Sequence, residues 1–302
     1  MYYAVDGGDA EQLIQTLKER VLQTQGTGHW YGLLDLSFDH EDGRRLSRWP
    51  LPTWLLYHVS PLHTMAHVSP CLFALPFNPD SDDWNRQVGQ LIRHAYGRPM
   101  LSFVHSRLDG SALQRAWQAC LFVYTADKLR MLLRFADTRV SPELSRTLSQ
   151  THWARLCQPL LQWLIVDRDG ALRSLPMGES KDQLEHADEP IELNDAEYAS
   201  LVAQGQPDAL INSLYEGIPE WLPQEDKALL HKQMKQVVVL AEKFQIDKAP
   251  DQIALATAVC VSHGALFAAS DLDQVLGTPE TWPNSSLYDA LLPLLPVEDE
   301  AK

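Results

Sequence analysis

Apolar positions in the first half of the chain alternate between helical and strand spacing. Leu13, Ile14, Leu17, Val21 and Leu22 fall on one stripe, and Asp9 with Gln12 three residues later supplies a capping signal ahead of it. That predicts a helix from about residue 9, closed by Gly26 and Gly28. Tyr31–Phe38 then reads as a buried strand, Cys71–Leu75 between Pro70 and Pro76 as a second, and Pro99–His105 as a third, with a helix over Asp83–Ala95 between the last two. Asp109-Gly110 predicts a turn with Ser111 capping a helix. Apolar runs at 121–124 and 129–135 on either side of Ala-Asp-Lys predict a hairpin. Helices are expected from Pro142 and over Thr151–Leu164, and Asp169-Gly170 turns into a last short strand.

The second half changes character. Asp195–Ala203 and Pro207–Leu214 look helical, as does Gln224–Phe244, where Leu230, Met234, Val237, Val238, Ala241 and Phe244 repeat at helical spacing. Asp251–Ala269 is apolar on nearly every face and reads as a central buried helix. It is short and too polar (Thr257, Ser262, His263, Gly264) for a membrane span. The expected architecture is an α/β N-terminal lobe over 1–178, with a mixed sheet and flanking helices, followed by a linker at 179–194 and an all-α lobe over 195–302.

Charge sharpens that division. Of the 25 basic and 40 acidic residues in 302, residues 1–178 hold 18 and 17, and residues 179–302 hold 7 and 23. Sixteen of the first 18 basic residues are arginine, and all seven of the second set are lysine. The first lobe is thus near neutral and the second strongly negative. The formal net charge of −15 argues against nucleic acid as a partner, because phosphate binding needs a basic footprint. Two roles fit such a negative lobe: salt-sensitive steering of association with a positive surface, or simply keeping the lobe soluble. The N-terminus shows no signal peptide, and the four cysteines (Cys71, Cys120, Cys157, Cys260) are widely spaced in mostly apolar surroundings, so a cytoplasmic location is expected.

Candidate chemistry is sparse. His58, His63 and His67 have zinc-like spacing, but Pro61 and Pro70 interrupt any helix that would align them and no further ligand lies nearby. There is no G-x-S-x-G nucleophile elbow. Gly26, Gly28 and Gly32 follow a helix and precede a strand, the reverse of a phosphate-binding loop. No catalytic residue, cofactor or metal site is expected. The segment that stands out is Leu132–Val140, which places Arg134, Asp137 and Arg139 at the end of an apolar strand. Two roles fit it: a local turn with an arginine paired to the aspartate, or an arginine exposed as a docking contact.

That segment resembles a known family. Its members carry a leucine-rich strand ending in Arg-Phe-Tyr-Asp-Pro-Arg-Val, and this chain has Arg134-Phe-Ala-Asp-Thr-Arg-Val140. An early Tyr-x-Leu-Leu-Asp strand is matched by Tyr31-Gly-Leu-Leu-Asp35, and a Pro-x-Leu-x-x-Leu element by Pro70-Cys-Leu-Phe-Ala-Leu75. A later helical Trp-Leu segment is matched by Pro159-Leu-Leu-Gln-Trp-Leu164. These order the chain like the type VI secretion effector adaptor-chaperones (Tap or TEC), encoded beside VgrG spike and effector genes. The resemblance spans about residues 29–176. Ala136 and Thr138 depart from the family's tyrosine and proline, and Leu113-Gln-Arg115 stands where members often have His-Leu-Arg.

The resemblance implies a non-enzymatic, cytoplasmic loading factor whose partners are one effector toxin and the VgrG spike, with no membrane insertion. Arg134, Asp137 and Arg139 are then candidates for the partner-binding motif. Two other classes stay open: a hydrolase or metalloenzyme with a site assembled from distant residues, and a cytoplasmic immunity protein.

Overall fold

In the computed structural model, residues 1–24, 26–42, 46, 49–58, 61–178 and 190–296 are described. The chain divides into two compact units, Val5–Ala203 and Met1–Ala4 with Gln204–Lys302. The first is α/β and the second helical, the fold class that the periodicities predict. Of the expected linker at 179–194, residues 179–189 lie outside the described residues.

The first unit begins with α1 (Ala10–Gln23), capped by Asp9, whose Oδ1 accepts from the amides of Glu11 and Gln12 at 2.9 and 3.0 Å. Next come β1 (His29–Asp35), α2 (Ser37–Asp42), β2 (Thr53–Leu55), β3 (Pro70–Ala74), α3 (Asp82–His94), β4 (Leu101–Ser106) and α4 (Gly110–Gln118). They are followed by β5 (Phe122–Tyr124), β6 (Arg130–Leu132), α5 (Ser141–Thr147), α6 (Gln150–Cys157), β7 (Leu160–Val166), β8 (Leu172–Ser174) and β9 (Ile191–Glu192). Six strands form a sheet in the order β2-β3-β1-β4-β7-β8, with every pair antiparallel. The remaining three form a second sheet, in which β5 pairs antiparallel with β6 and parallel with β9. The parallel pair makes this small sheet the mixed one.

The core of this unit is built on aromatic residues. Trp163 of β7 stacks on Trp153 at 5.7 Å and meets Trp117 and Phe135 at 5.7 and 6.2 Å. Trp117 and Trp153 donate their indole N–H groups to the carbonyls of Leu156 and Pro176. Each such ring pair adds about 0.5–1.5 kcal/mol beyond the area it buries.

Four local expectations change. The helix expected over 151–164 is α6, ending at Cys157, followed by strand β7; the Trp-Leu segment is therefore strand, not helix. Pro159 cannot donate within a helix, and an apolar run as short as 160–166 has no period of its own to exclude a buried strand. The first strand stops at Asp35, and Ser37 and Phe38 open helix α2 instead. Asp109, not Ser111, caps α4, accepting from the amide of Ala112 at 2.8 Å. The fourth change concerns α7 (Asp195–Gly217), which is one helix and carries Pro207 inside it where two helices are expected. The missing proline N–H costs that helix about 3 kcal/mol or more, which its other turns tolerate.

In the second unit α8 (Lys227–Lys243) and α9 (Ala249–Val261) are followed by the short helices α10 (Leu272–Gly277) and α11 (Leu287–Leu291). Met234, Val237, Leu255, Val259 and Leu291 are fully buried in its core. The expected helix to Ala269 ends at Val261, because His263 and Gly264 take positive φ and a 3-10 turn follows. Among the described residues no helix is long and apolar enough to cross a membrane.

One buried histidine marks the start of β1. His105 is 2% exposed, stacks on Trp30 at 4.8 Å and pairs through Nε2 with the carbonyl of Thr27. Gly28 lets the chain pass there: its φ is +70°, and a Cβ would lie 2.5 Å from the Ser106 carbonyl oxygen. Burial is the main cause of the lowered His105 pKa; the Thr27 carbonyl opposes it, and His29 and Arg107 add to it. Nδ1 has no hydrogen-bond partner among the described residues. The unfolded chain therefore binds a proton that the folded one resists, so stability is full above about pH 6.5 and falls as pH drops through that value. The thermal midpoint should decline from about pH 7.5 to about pH 5.5, and His105→Asn should shrink that decline. An unchanged pH slope in the variant would contradict the assignment.

Candidate functional site

After β6 the chain turns Leu133, Phe135 and Ala136 into the core and leaves Arg134 facing out. Phe135 is fully buried against Trp117 at 5.2 Å, while the side chain of Arg134 beside it is 42% exposed. The chain then turns on Asp137. Its backbone carbonyl accepts from the amides of Val140 and Ser141 at 2.9 and 3.0 Å, and its Oδ1 accepts from the Arg139 amide at 3.0 Å. This is an Asx-type turn, and it delivers the backbone into α5.

Asp137 is 1% exposed, so its charge must be met inside the protein. Arg139 does so with two parallel bonds, Nε to Oδ1 at 3.1 Å and Nη2 to Oδ2 at 2.8 Å. Arg134 lies 3.5 Å from Oδ2 and directs the same Nη2 to Asp35 Oδ2 and Ser37 Oγ, each at 2.9 Å. Arg134 thereby ties the post-hairpin segment to the end of β1, 99 residues away in sequence. Both guanidinium carbons stand 5.4 Å from the Phe38 ring, in cation–π range. The structure therefore brings Arg134, Asp137 and Arg139 together, and it adds Asp35, Ser37 and Phe38.

A third buried carboxylate, after Asp137 and Asp35, follows Phe38 in the chain. Asp39 receives Arg98 Nη1 at 3.0 Å and faces His94 Nε2 at 2.7 Å. Arg98 is 3% exposed and also bonds the carbonyls of Phe38 and His94. Three aspartates and three arginines thus share one end of the large sheet.

The electrostatics follow from this packing. For Arg134, burial works against the charge, but the carboxylates of Asp35 and Asp137 outweigh it and raise its pKa. Burial, reinforced by the charge on Asp35, pushes the nearby Tyr57 hydroxyl well above its ordinary value, with Arg134 pulling the other way. Thr138 binds the segment from its far side, its amide donating to the Pro99 carbonyl at 3.0 Å. The proline found at this place in the resembled motif has no such proton to give.

The other candidates stay apart. His58, His63 and His67 are exposed, and His67 meets the ring of His40 at 5.2 Å. Among the described residues no three histidine, cysteine or carboxylate side chains are grouped to hold a metal ion. All four cysteines are buried and free, and burial raises the thiols of Cys157 and Cys260 to about 11 and that of Cys71 to about 12.

Of the six cluster residues beyond the motif (Asp35, Ser37, Phe38, Asp39, His94, Arg98), only Asp35 falls inside a stretch that carries the resemblance. The others carry no local signal, because their partners are set by the fold.

Against known proteins, residues 30–155 match the family model of a domain of unknown function, DUF4123. No curated protein and no solved structure matches.

Asp137→Ala leaves Arg139 with no carboxylate for its two parallel bonds and should destabilise the first unit by about 3–5 kcal/mol. Arg134→Gln should cost about 1 kcal/mol or less, since water already screens a guanidinium this exposed. Urea unfolding followed by tryptophan fluorescence checks both. Equal losses from the two variants would contradict the ordering.

Proposed function

We propose that this protein is a non-enzymatic adaptor that binds a type VI secretion effector in the cytoplasm and presents it to the VgrG spike. The observation that carries the reading is the match to DUF4123 over 30–155, because that domain is associated with type VI secretion effectors. All the residues that build the arginine cluster fall inside the matched span, from Asp35 through Arg139. Two physical features agree with an adaptor. Residues 1–178 are nearly neutral and residues 179–302 strongly acidic, which suits contact with two partners of different charge. Arg134 adds a planar, multi-donor cation held in place by two carboxylates yet open to solvent on one side, the form of group enriched at protein interfaces.

In this reading the arginine cluster shapes a docking face, and the acidic helices steer the encounter with a basic surface. Long-range steering is screened by salt beyond about 10 Å at 0.1 M, so it must show in the salt dependence of binding.

Purified full-length chain and the effector encoded beside it are expected to co-elute as a complex. Raising NaCl from about 50 to about 500 mM should weaken that complex roughly tenfold or more. Deleting the chain in its host should abolish delivery of the effector while the producing cell survives. Absence of any complex at low salt, or death of the producer, would overturn the adaptor reading.

A further inference from the structure

At the opposite end of β1 from the arginine cluster lies a groove of about 550 Å³ within the first unit. A pocket of this size suits a small ligand or a short peptide segment. Its walls are aromatic and aliphatic: Trp30, Tyr31, Trp54, Leu22 and Phe77 line it, together with Asp109. Phe77 is 87% exposed and Leu22 49%, so a large apolar rim faces water.

Two of the aromatic walls are fixed in advance. The Tyr31 and Trp54 rings stand 5.8 Å apart at 85°, forming a corner. The Tyr31 hydroxyl donates to the Leu108 carbonyl at 3.1 Å, and the Trp54 indole N–H donates to Ser111 Oγ at 3.1 Å. The indole also lies over Gly110, where an added Cβ would come within 2.4 Å of it. Rings that are already ordered lose little freedom when something binds against them.

The charge of the groove has one sign. No lysine or arginine is among its described lining residues; its carboxylate is that of exposed Asp109, and the other ionisable side chain at the rim is the imidazole of His29, neutral in its unprotonated form. Asp109 bears on the corner directly: after burial, its negative charge is the second cause that lifts the Tyr31 hydroxyl to about 12. Aromatic faces beside a carboxylate favour a cation and reject an acid.

We propose that this groove holds a segment of a partner protein built on an arginine or lysine next to an apolar side chain. The cation pairs with exposed Asp109 beside the half-buried Trp54 ring, and the apolar side chain covers Phe77 and Leu22. This goes beyond the adaptor reading, since the chemistry of the groove is the same whichever protein the chain serves.

Selection of random 12-residue peptides displayed on phage against the full-length chain tests the proposal. Enriched sequences should pair arginine or lysine with an aromatic or aliphatic residue. The best of them, fluorescently labelled, should bind Asp109→Asn and Phe77→Ala each about tenfold more weakly than wild type. Asparagine keeps the helix cap and Phe77 is exposed, so both variants should keep the wild-type thermal midpoint. Replacing the peptide's arginine by citrulline should cost the same tenfold on wild type and nothing further on Asp109→Asn. No enrichment, enrichment of acidic peptides, or binding unaffected by both substitutions would overturn the proposal. Failure here leaves the effector complex to stand or fall by its own elution test.

Discussion

A carboxylate closed off from water has to be answered by cations, and Asp137 is the place where this chain meets that demand. Arg139 answers it with two parallel bonds from two residues away, and Arg134 adds a longer contact while it grips Asp35 and Ser37. Asp35 is itself 3% exposed and has the same need. A single guanidinium thus serves two buried carboxylates that come from distant stretches of chain. With Phe135 locked among tryptophans one residue further on, the segment after the hairpin is held on its apolar side by packing and on its polar side by charge.

This brace organises what the first unit can present. It holds the end of β1, and through Phe38 and Asp39 it continues to Arg98 and His94 at the end of α3. Charges of both signs balance within the cluster, so most of it is internal. What reaches solvent is the side of Arg134. The other end of the same strand contributes Trp30 and Tyr31 to a groove with the opposite character, apolar with a single carboxylate. One short strand thus connects a cationic contact to an aromatic groove.

Much of this was legible in the chain. The Asp9 cap, the hairpin around Ala126, the strand of Cys71 and the acidic helical remainder each carry a local signature: a capping residue, a turn between apolar runs, flanking prolines, a shift in composition. Residues 160–166 did not, because a seven-residue apolar run fits a strand or a helix turn equally, and its neighbours β4 and β8 settle the matter. Pro207 suggested a break that the helix does not make. In the candidate site, the pairing of Arg139 with Asp137 was visible as a two-residue spacing. The bond from Arg134 to Asp35 was not, since nothing local encodes a contact across 99 positions. The groove was illegible for the same reason: Trp30, Trp54, Phe77 and Asp109 belong to four separate segments.

The most direct test is whether Arg134 and Asp35 are coupled. Asp35→Asn, Arg134→Gln and the double variant form a cycle, with the free energy of opening read from native-state hydrogen exchange at the Leu34 and Asp35 amides of β1. A brace requires the double variant to lose less than the sum of the singles, by about 0.5–1 kcal/mol, most of what Arg134→Gln costs alone. Losses that simply add would mean that the arginine segment and the central strand are held independently, and the account built on their union would fail.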